Sequence, residues 1–504
     1  MSENAIRANY LSPYILALDV GTSSTRALLF DARGKAIPGI GSQKKYELTT
    51  GHDGEASLDA DILTETVART IDETLLQMGD LARQIKAVAL DTFWHSLVGV
   101  DGQQKALTPV ITWEDTRPAS MVRKLRTDLD ERQVHERVGA RFHASYWSAK
   151  LLWLESEQRG TFERVEQWLS YGEYLHRRLL GHSVCGLSMA SGTGLLNVRE
   201  RAWDKDLVAY LSLKEGQLPE LGDYTDGLRG MTDEYQRRWP QLSDVVWFPA
   251  LGDGAVANIG SGAASPERWA LTIGTSSAIR AIVEPERVVP SPGLWLYLVD
   301  GKRAIIGGAL SQGGNVLAWL RDMLGLQDPK QAETLASKIE PDGHGLTVLP
   351  FISGERSPGW QAERRMTVAG LSLHTTPAML QRAGMEAVAY QLKQVYNELS
   401  QALALKGDVV PQVICSGGAL LGSPLLQHIL ADTLGVPLYP SRDAEASSRG
   451  SALLALEALG VIKDVALVEP DISVPVQPDS RAGAIYQRAV ERQEKLYHML
   501  QEPL

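Results

Sequence analysis

The segment LALDVGTSSTRALLF around Gly21 is echoed by WALTIGTSSAIRAIV around Gly274. Each copy reads as an apolar β run, a Gly-Thr-Ser-Ser turn and a second β run, the pattern of a hairpin whose tip exposes small hydroxyl residues. The distance between the copies excludes a solenoid of short repeats and leaves a duplicated domain. At 504 residues the chain also exceeds the size at which one hydrophobic core stops growing, roughly 250–300 residues. The stretch GSGAASPER interrupts the pattern just before the second copy, so the division is expected near 260–268, giving domains 1–262 and 263–504.

Between and after the copies, strand-like runs alternate with helical ones. QIKAVALDTF, KRAIIGGAL and PQVICSGG read as strands, and DVVWFPALGDG as a strand ending in a glycine-flanked acid. KLLWLESEQRG, NVLAWLRDMLG, LQRAGMEAVAYQLKQVYNELSQALAL and PLLQHILADTLG read as helices. The alternation predicts α/β sheets covered by helices.

Composition narrows the function classes. The net charge of −11 is spread along the chain without a basic stripe, which argues against nucleic acid and anionic membrane as partners. The two cysteines, Cys185 and Cys415, lack metal-ligand spacing and fit a reducing cytoplasm. The N-terminal MSENAIRANYLSPY is polar, and no apolar run is long enough to span a bilayer, so a cytoplasmic protein is expected.

A phosphate-binding turn must offer backbone N–H groups and hydroxyls with no bulky side chain in the way. Gly21, Thr22, Ser23 and Ser24 meet that need, as do Gly274, Thr275 and Ser276. The first copy alone carries an acid, Asp19, two residues before its glycine. A carboxylate beside phosphates repels them unless a divalent cation lies between, so Asp19 reads as a Mg²⁺-shell ligand. No GxxxxGK[ST] loop is present.

Taken together, DVGTSSTR at 19–26, DTFWHSLVGVD at 91–101, ITWEDTRP at 111–118, GDGAVANIG at 252–260, TIGTSSA at 272–278, FISGERSPGW at 351–360 and SGGALLGSPLLQHILADTLG at 416–435 resemble the FGGY carbohydrate kinases, in that family's order. The resemblance implies two duplicated actin/hexokinase/Hsp70-like (ribonuclease H-like) domains around an ATP cleft, with ATP and Mg²⁺ as cofactors and a small sugar or sugar acid as partner. It implies that Asp253 is the catalytic base. It also implies nucleotide contacts from the first turn with Arg26, from Gly274, Thr275, Ser276 and Gly314, and from the adenosine-side turn of Gly417, Gly418, Ala419 and Ser423. Substrate contacts are implied for Trp94, His95, Ser96, Trp113, Asp115, Arg117, Tyr146, Lys150 and Asp253. A monomer or homodimer is expected.

The Trp-His-Ser-Leu segment, GARFHASYWSAKLLWL, GERSPGW and EASSRGSALLAL are similar to gluconate kinases of the family, which makes D-gluconate the expected acceptor. Its carboxylate needs cationic or N–H donors, for which His95, Arg117, His143 and Lys150 are candidates. Xylulose, glycerol or another ketose or polyol is the alternative substrate. A non-catalytic ATP-binding sugar sensor is the remote alternative, against which Asp19 and Asp253 both weigh.

Overall fold

The computed structural model describes residues 9–404 and 409–500. The first eight residues of the polar N-terminal stretch, and Leu405 at the end of one predicted helix, lie outside them. In the first half, β1 (Tyr14–Val20), β2 (Ser24–Phe30) and β3 (Ala36–Lys45) form an antiparallel meander, followed by helix α1 (Ala60–Met78) and strand β4 (Ile85–Thr92). After α2 (Trp147–Glu157) come the short strands β5 (Val246–Trp247) and β6 (Leu251–Gly252) and helix α3 (Asp253–Gly260). The strand order is β5-β4-β1-β2-β3, with β6 also on β4, and β4 runs parallel to β1. Nearly every residue of β1 and β4 is buried, as expected for central strands covered on both faces.

The second half repeats this plan. It contains β7 (Arg268–Ile273), β8 (Ser277–Val283), β9 (Trp295–Leu298), β10 (Ala304–Leu310), α4 (Gly314–Met323), α5 (Pro329–Ala336) and α6 (Pro377–Leu403). Next are β11 (Gln412–Ser416), α7 (Gly418–Leu421), α8 (Pro424–Leu434), β12 (Leu438–Pro440), α9 (Ala446–Ala458) and α10 (Ser480–Met499). Its sheet runs β9-β10-β8-β7-β11-β12, so β10-β8-β7-β11-β12 matches β3-β2-β1-β4-β5 in order and in strand sense. The helices carry their own boundary signals: Thr376 caps α6 with Pro377 at its first turn, and Gly435 ends α8 in the left-handed region.

The division after residue 262, which we propose, separates the two sheets along the chain but not completely in space. Helix α9 returns from the second half to pack on α3, β1 and β4. The crossing of α3 and α9 is tight because both helices carry glycine at the contact. A Cβ on Gly260 would lie 1.8 Å from Ala446 O, and one on Gly450 would lie 1.9 Å from Val256 O.

Candidate active site

The two turns stand at the tips of matching antiparallel hairpins. Parallel pairing of β1 with β4 sets Asp19 beside Asp91, so each carboxyl feels the other. Ser451 Oγ of α9 donates to Asp91 Oδ2 at 2.6 Å. Burial pushes the Asp19 carboxyl up to about 6 against the opposing pull of Arg26, with Asp253 adding to the rise. Asp91 is raised well above the usual carboxylate range, again by burial first and the Asp19 charge second. Arg26 donates to Glu445 at 2.8 Å, and Tyr46 OH donates to Gly21 O at 2.6 Å, fixing the turn. This cluster of carboxyls with one arginine is an environment a divalent cation fits.

The second turn rests on the start of α4. Gly314 N donates to Gly274 O at 2.8 Å and Asn315 N to Thr275 O at 3.0 Å. A Cβ on Gly314 would meet Gly274 O at 2.6 Å and Ala419 Cβ at 2.8 Å, so three glycine-rich segments meet here. Gly417 has φ of 95° with Ile273 O 2.3 Å from where its Cβ would be, which only glycine satisfies. The result is a cradle of exposed backbone beside the Gly417–Ala419 turn. Ser423 is engaged elsewhere: its hydroxyl caps α8 by accepting from Leu426 N and donates to Glu333.

A cavity of about 210 Å³ lies beside the second turn. Asp253 and Gly254 from the start of α3 and Ser276 from the second turn stand at one part of its wall; Trp94, Trp113, Trp295, Tyr297 and Trp360 give it aromatic faces. Asp253 occupies the first turn of α3, where the helix dipole favours negative charge, and accepts from Gly254 N at 2.7 Å. Burial nevertheless raises its pKa, partly offset by that N–H and by Arg280. The glycines flanking it make room for Trp94, whose indole would lie 1.9 Å from a Cβ on Gly252. Geometry thus sets a buried carboxylate beside a glycine-rich turn, within walls whose aromatic faces suit the C–H faces of a sugar.

The model of the FGGY carbohydrate kinase N-terminal domain matches residues 14–260, and that of the C-terminal domain matches residues 269–459. The chain belongs to the FGGY family of carbohydrate kinases. It is an ATP-dependent phosphotransferase with an alcohol group as acceptor. Gluconokinase of Bacillus subtilis (strain 168) is 26% identical over 466 residues, covering 90% of this chain and 89% of that protein. Among solved structures, xylulose kinase from Lactobacillus acidophilus superposes with a TM-score of 0.88 at 28% identity, covering 97% of this chain and 98% of the other. Gluconate kinase from the same organism gives 0.87 at 27% identity with the same coverage.

Within this FGGY kinase, Trp94, His95, Trp113, Tyr146 and Asp253, five of the residues expected to contact substrate, line the cavity. His95 adopts φ of 67° and its ring Nδ1 contacts Gly192 O; burial drops its pKa to about 3, so the ring is neutral. Four residues depart from the expectation and do not line the cavity. Ser96 is fully buried, accepting from Tyr171 N through Oγ. Asp115 and Arg117 are spent on each other at 2.6 Å, with Arg117 also stacked on Trp153. Lys150 is fully buried, and its Nζ donates to His95 O at 2.6 Å and Ile111 O at 3.2 Å. It therefore holds the His95 backbone from outside the cavity lining.

The sequence reading missed Arg280 and Arg356, which bring the cavity its cations. Both stood within segments already singled out, AIRAIV after the second turn and GERSPGW, but neither had a spacing that marked it. Trp295, Tyr297 and Trp360 were missed as well. Tyr297 OH meets Tyr146 OH at 2.5 Å, a contact between the halves that no linear pattern reveals. No described helix is long and apolar enough to cross a membrane.

Proposed function

We propose that this kinase phosphorylates D-gluconate on its terminal primary hydroxyl, giving 6-phospho-D-gluconate. The observation that carries the reading is the charge of the cavity: Arg280 and Arg356 line it against a single acid, Asp253. His95 and His143 are both held neutral, burial taking each to about 3. A neutral sugar would leave that excess positive charge uncompensated in a desolvated space, whereas a sugar acid neutralises it. The similarity to gluconate kinases over nearly the whole chain supports the same substrate.

In this reading Asp253 takes the proton of the attacking hydroxyl as its oxygen bonds to the γ-phosphorus. The bond from that phosphorus to the bridging oxygen of ADP then breaks. Asp19, with Asp91 beside it, would hold Mg²⁺, which supplies charge neutralisation for the phosphates. The turns at Gly21–Ser24 and Gly274–Ser276 bind phosphates, Gly417–Ala419 receives the adenosine, and use of ATP sets the work in the cytoplasm. ADP release by the purified protein is the test, measured with gluconate, xylulose, ribulose and glycerol as acceptors. The reading expects gluconate to give the highest kcat/KM, and a clear preference for a neutral acceptor overturns it.

A further inference from the structure

The two arginines of the cavity stand in different company. Arg280, on β8, donates from Nη1 to Gly254 O at 2.8 Å, and its buried Nε has no partner among the described residues. No ion pair joins it to Asp253, but that bond holds it against the residue that follows Asp253. Arg356 projects from the segment after Phe351 and donates from Nη2 to Leu310 O at 2.9 Å. The guanidinium lies 5.7 Å from the Trp113 ring centroid, and burial pulls its pKa below the usual arginine range. Among the described residues no carboxylate lies within ion-pair distance of it. A desolvated guanidinium with a planar fork of donors and no anion is an incomplete arrangement, and a carboxylate completes it bidentately.

We propose that Arg356 is the specificity-determining residue that receives the substrate carboxylate, while Arg280 is a positioning residue that acts through Asp253. The assignment rests on the gluconate reading and orients that substrate: carboxylate toward Arg356, Trp113 and Ser145, terminal hydroxyl toward Asp253 and Ser276. His95, held neutral, contributes shape and a hydrogen bond instead of charge.

Calorimetric titration with D-gluconate and with D-glucitol, which has the same six carbons but a hydroxymethyl group in place of the carboxylate, separates the roles. The wild type is expected to prefer gluconate by about 10- to 100-fold. Arg356→Gln is expected to remove that preference, weakening gluconate by the same factor and glucitol by less than about threefold. Arg356→Lys should recover part of the preference, because charge returns without the fork. Arg280→Gln should retain the preference in binding while lowering kcat on gluconate. Survival of the preference in Arg356→Gln, or its collapse in Arg280→Gln alone, overturns the assignment. If Arg356→Gln binds neither ligand, the Arg356→Lys preference decides: an unchanged ratio overturns the proposal and a reduced one supports it. The gluconate reading fails separately, in the turnover of the wild type: an enzyme that phosphorylates xylulose or glycerol but not gluconate removes both ideas. Turnover of gluconate with an indifferent Arg356 removes only this one.

Discussion

The two Gly-Thr-Ser-Ser turns have the same backbone and opposite chemistry. In the first, the strand-end pair is Asp19 with Asp91; in the second, the same register positions hold Thr272 and Ser416, whose hydroxyls hydrogen-bond at 3.0 Å. Both hairpins leave room for an anion at the tip. What differs is what stands behind it: two buried carboxyls whose pKa values are raised, or two neutral hydroxyls already satisfied by each other. A duplicated scaffold thus divides its work by one position per strand. On the proposed reading the acid pair holds a cation, and the hydroxyl pair leaves phosphate to be bound by backbone N–H groups alone.

Removing the acid from the first turn should have the larger consequence. Asp19→Ala is expected to lower kcat/KM for Mg-ATP by about 10- to 100-fold and to raise the Mg²⁺ concentration needed for half-maximal rate. Sugar binding without nucleotide should change little, and a Mg²⁺ titration identical to wild type would remove Asp19 from the metal site.

A buried carboxyl in the second half sharpens the contrast, because it has protein partners instead of a cation. Glu355 is 2% exposed, accepts from Tyr497 OH at 2.8 Å and from Gly359 N at 3.2 Å, and burial pushes its pKa to about 7. Arg364, 4.0 Å away, opposes that rise. Since the folded state holds this proton more tightly than the unfolded state, stability is lost as pH rises from about 4.5 to 7, and the full penalty remains above that. Glu355→Gln should therefore gain on the wild type by about 2–4 kcal/mol between pH 4 and pH 8. Denaturant unfolding at several pH values reads this, and a gap independent of pH contradicts it. Mg²⁺ should leave the gap unchanged.

Copying the first turn into the second is the smallest change. Thr272→Asp places a carboxylate behind the second cradle without the strand partner Asp91 provides in the first, and should raise KM for ATP by roughly tenfold. Steady-state kinetics with ATP varied would show it, and an unchanged KM would mean that phosphate does not lie against this turn.

Much of this plan was legible because close approach restricts side chains. The hairpin repeat gave the duplicated sheets, and the glycines around Asp253 mark where Trp94 must fit. The return of α9 was not legible: nothing in EASSRGSALLALEA marks it, and only the contact of Gly450 with Val256 O shows why its glycine matters. Charge was read least well. Lys150 lies in YWSAKLLWL, an almost wholly buried run, and its Nζ bonds backbone carbonyls behind the cavity wall instead of lining it. Arg280 and Arg356 look like surface charges in sequence and meet only because β8 pairs with β10, beside which the Arg356 segment runs. Three-dimensional pairing decides which charges are free.

On the proposed reading, phosphoryl transfer takes place at Asp253, beside the second turn. Turnover and calorimetric binding of Asp253→Asn test it directly, since the substitution keeps the shape and removes the proton acceptor. The expected result is a kcat lower by about 10²- to 10⁴-fold with ATP and sugar affinities largely intact. Near-normal turnover would contradict the claim.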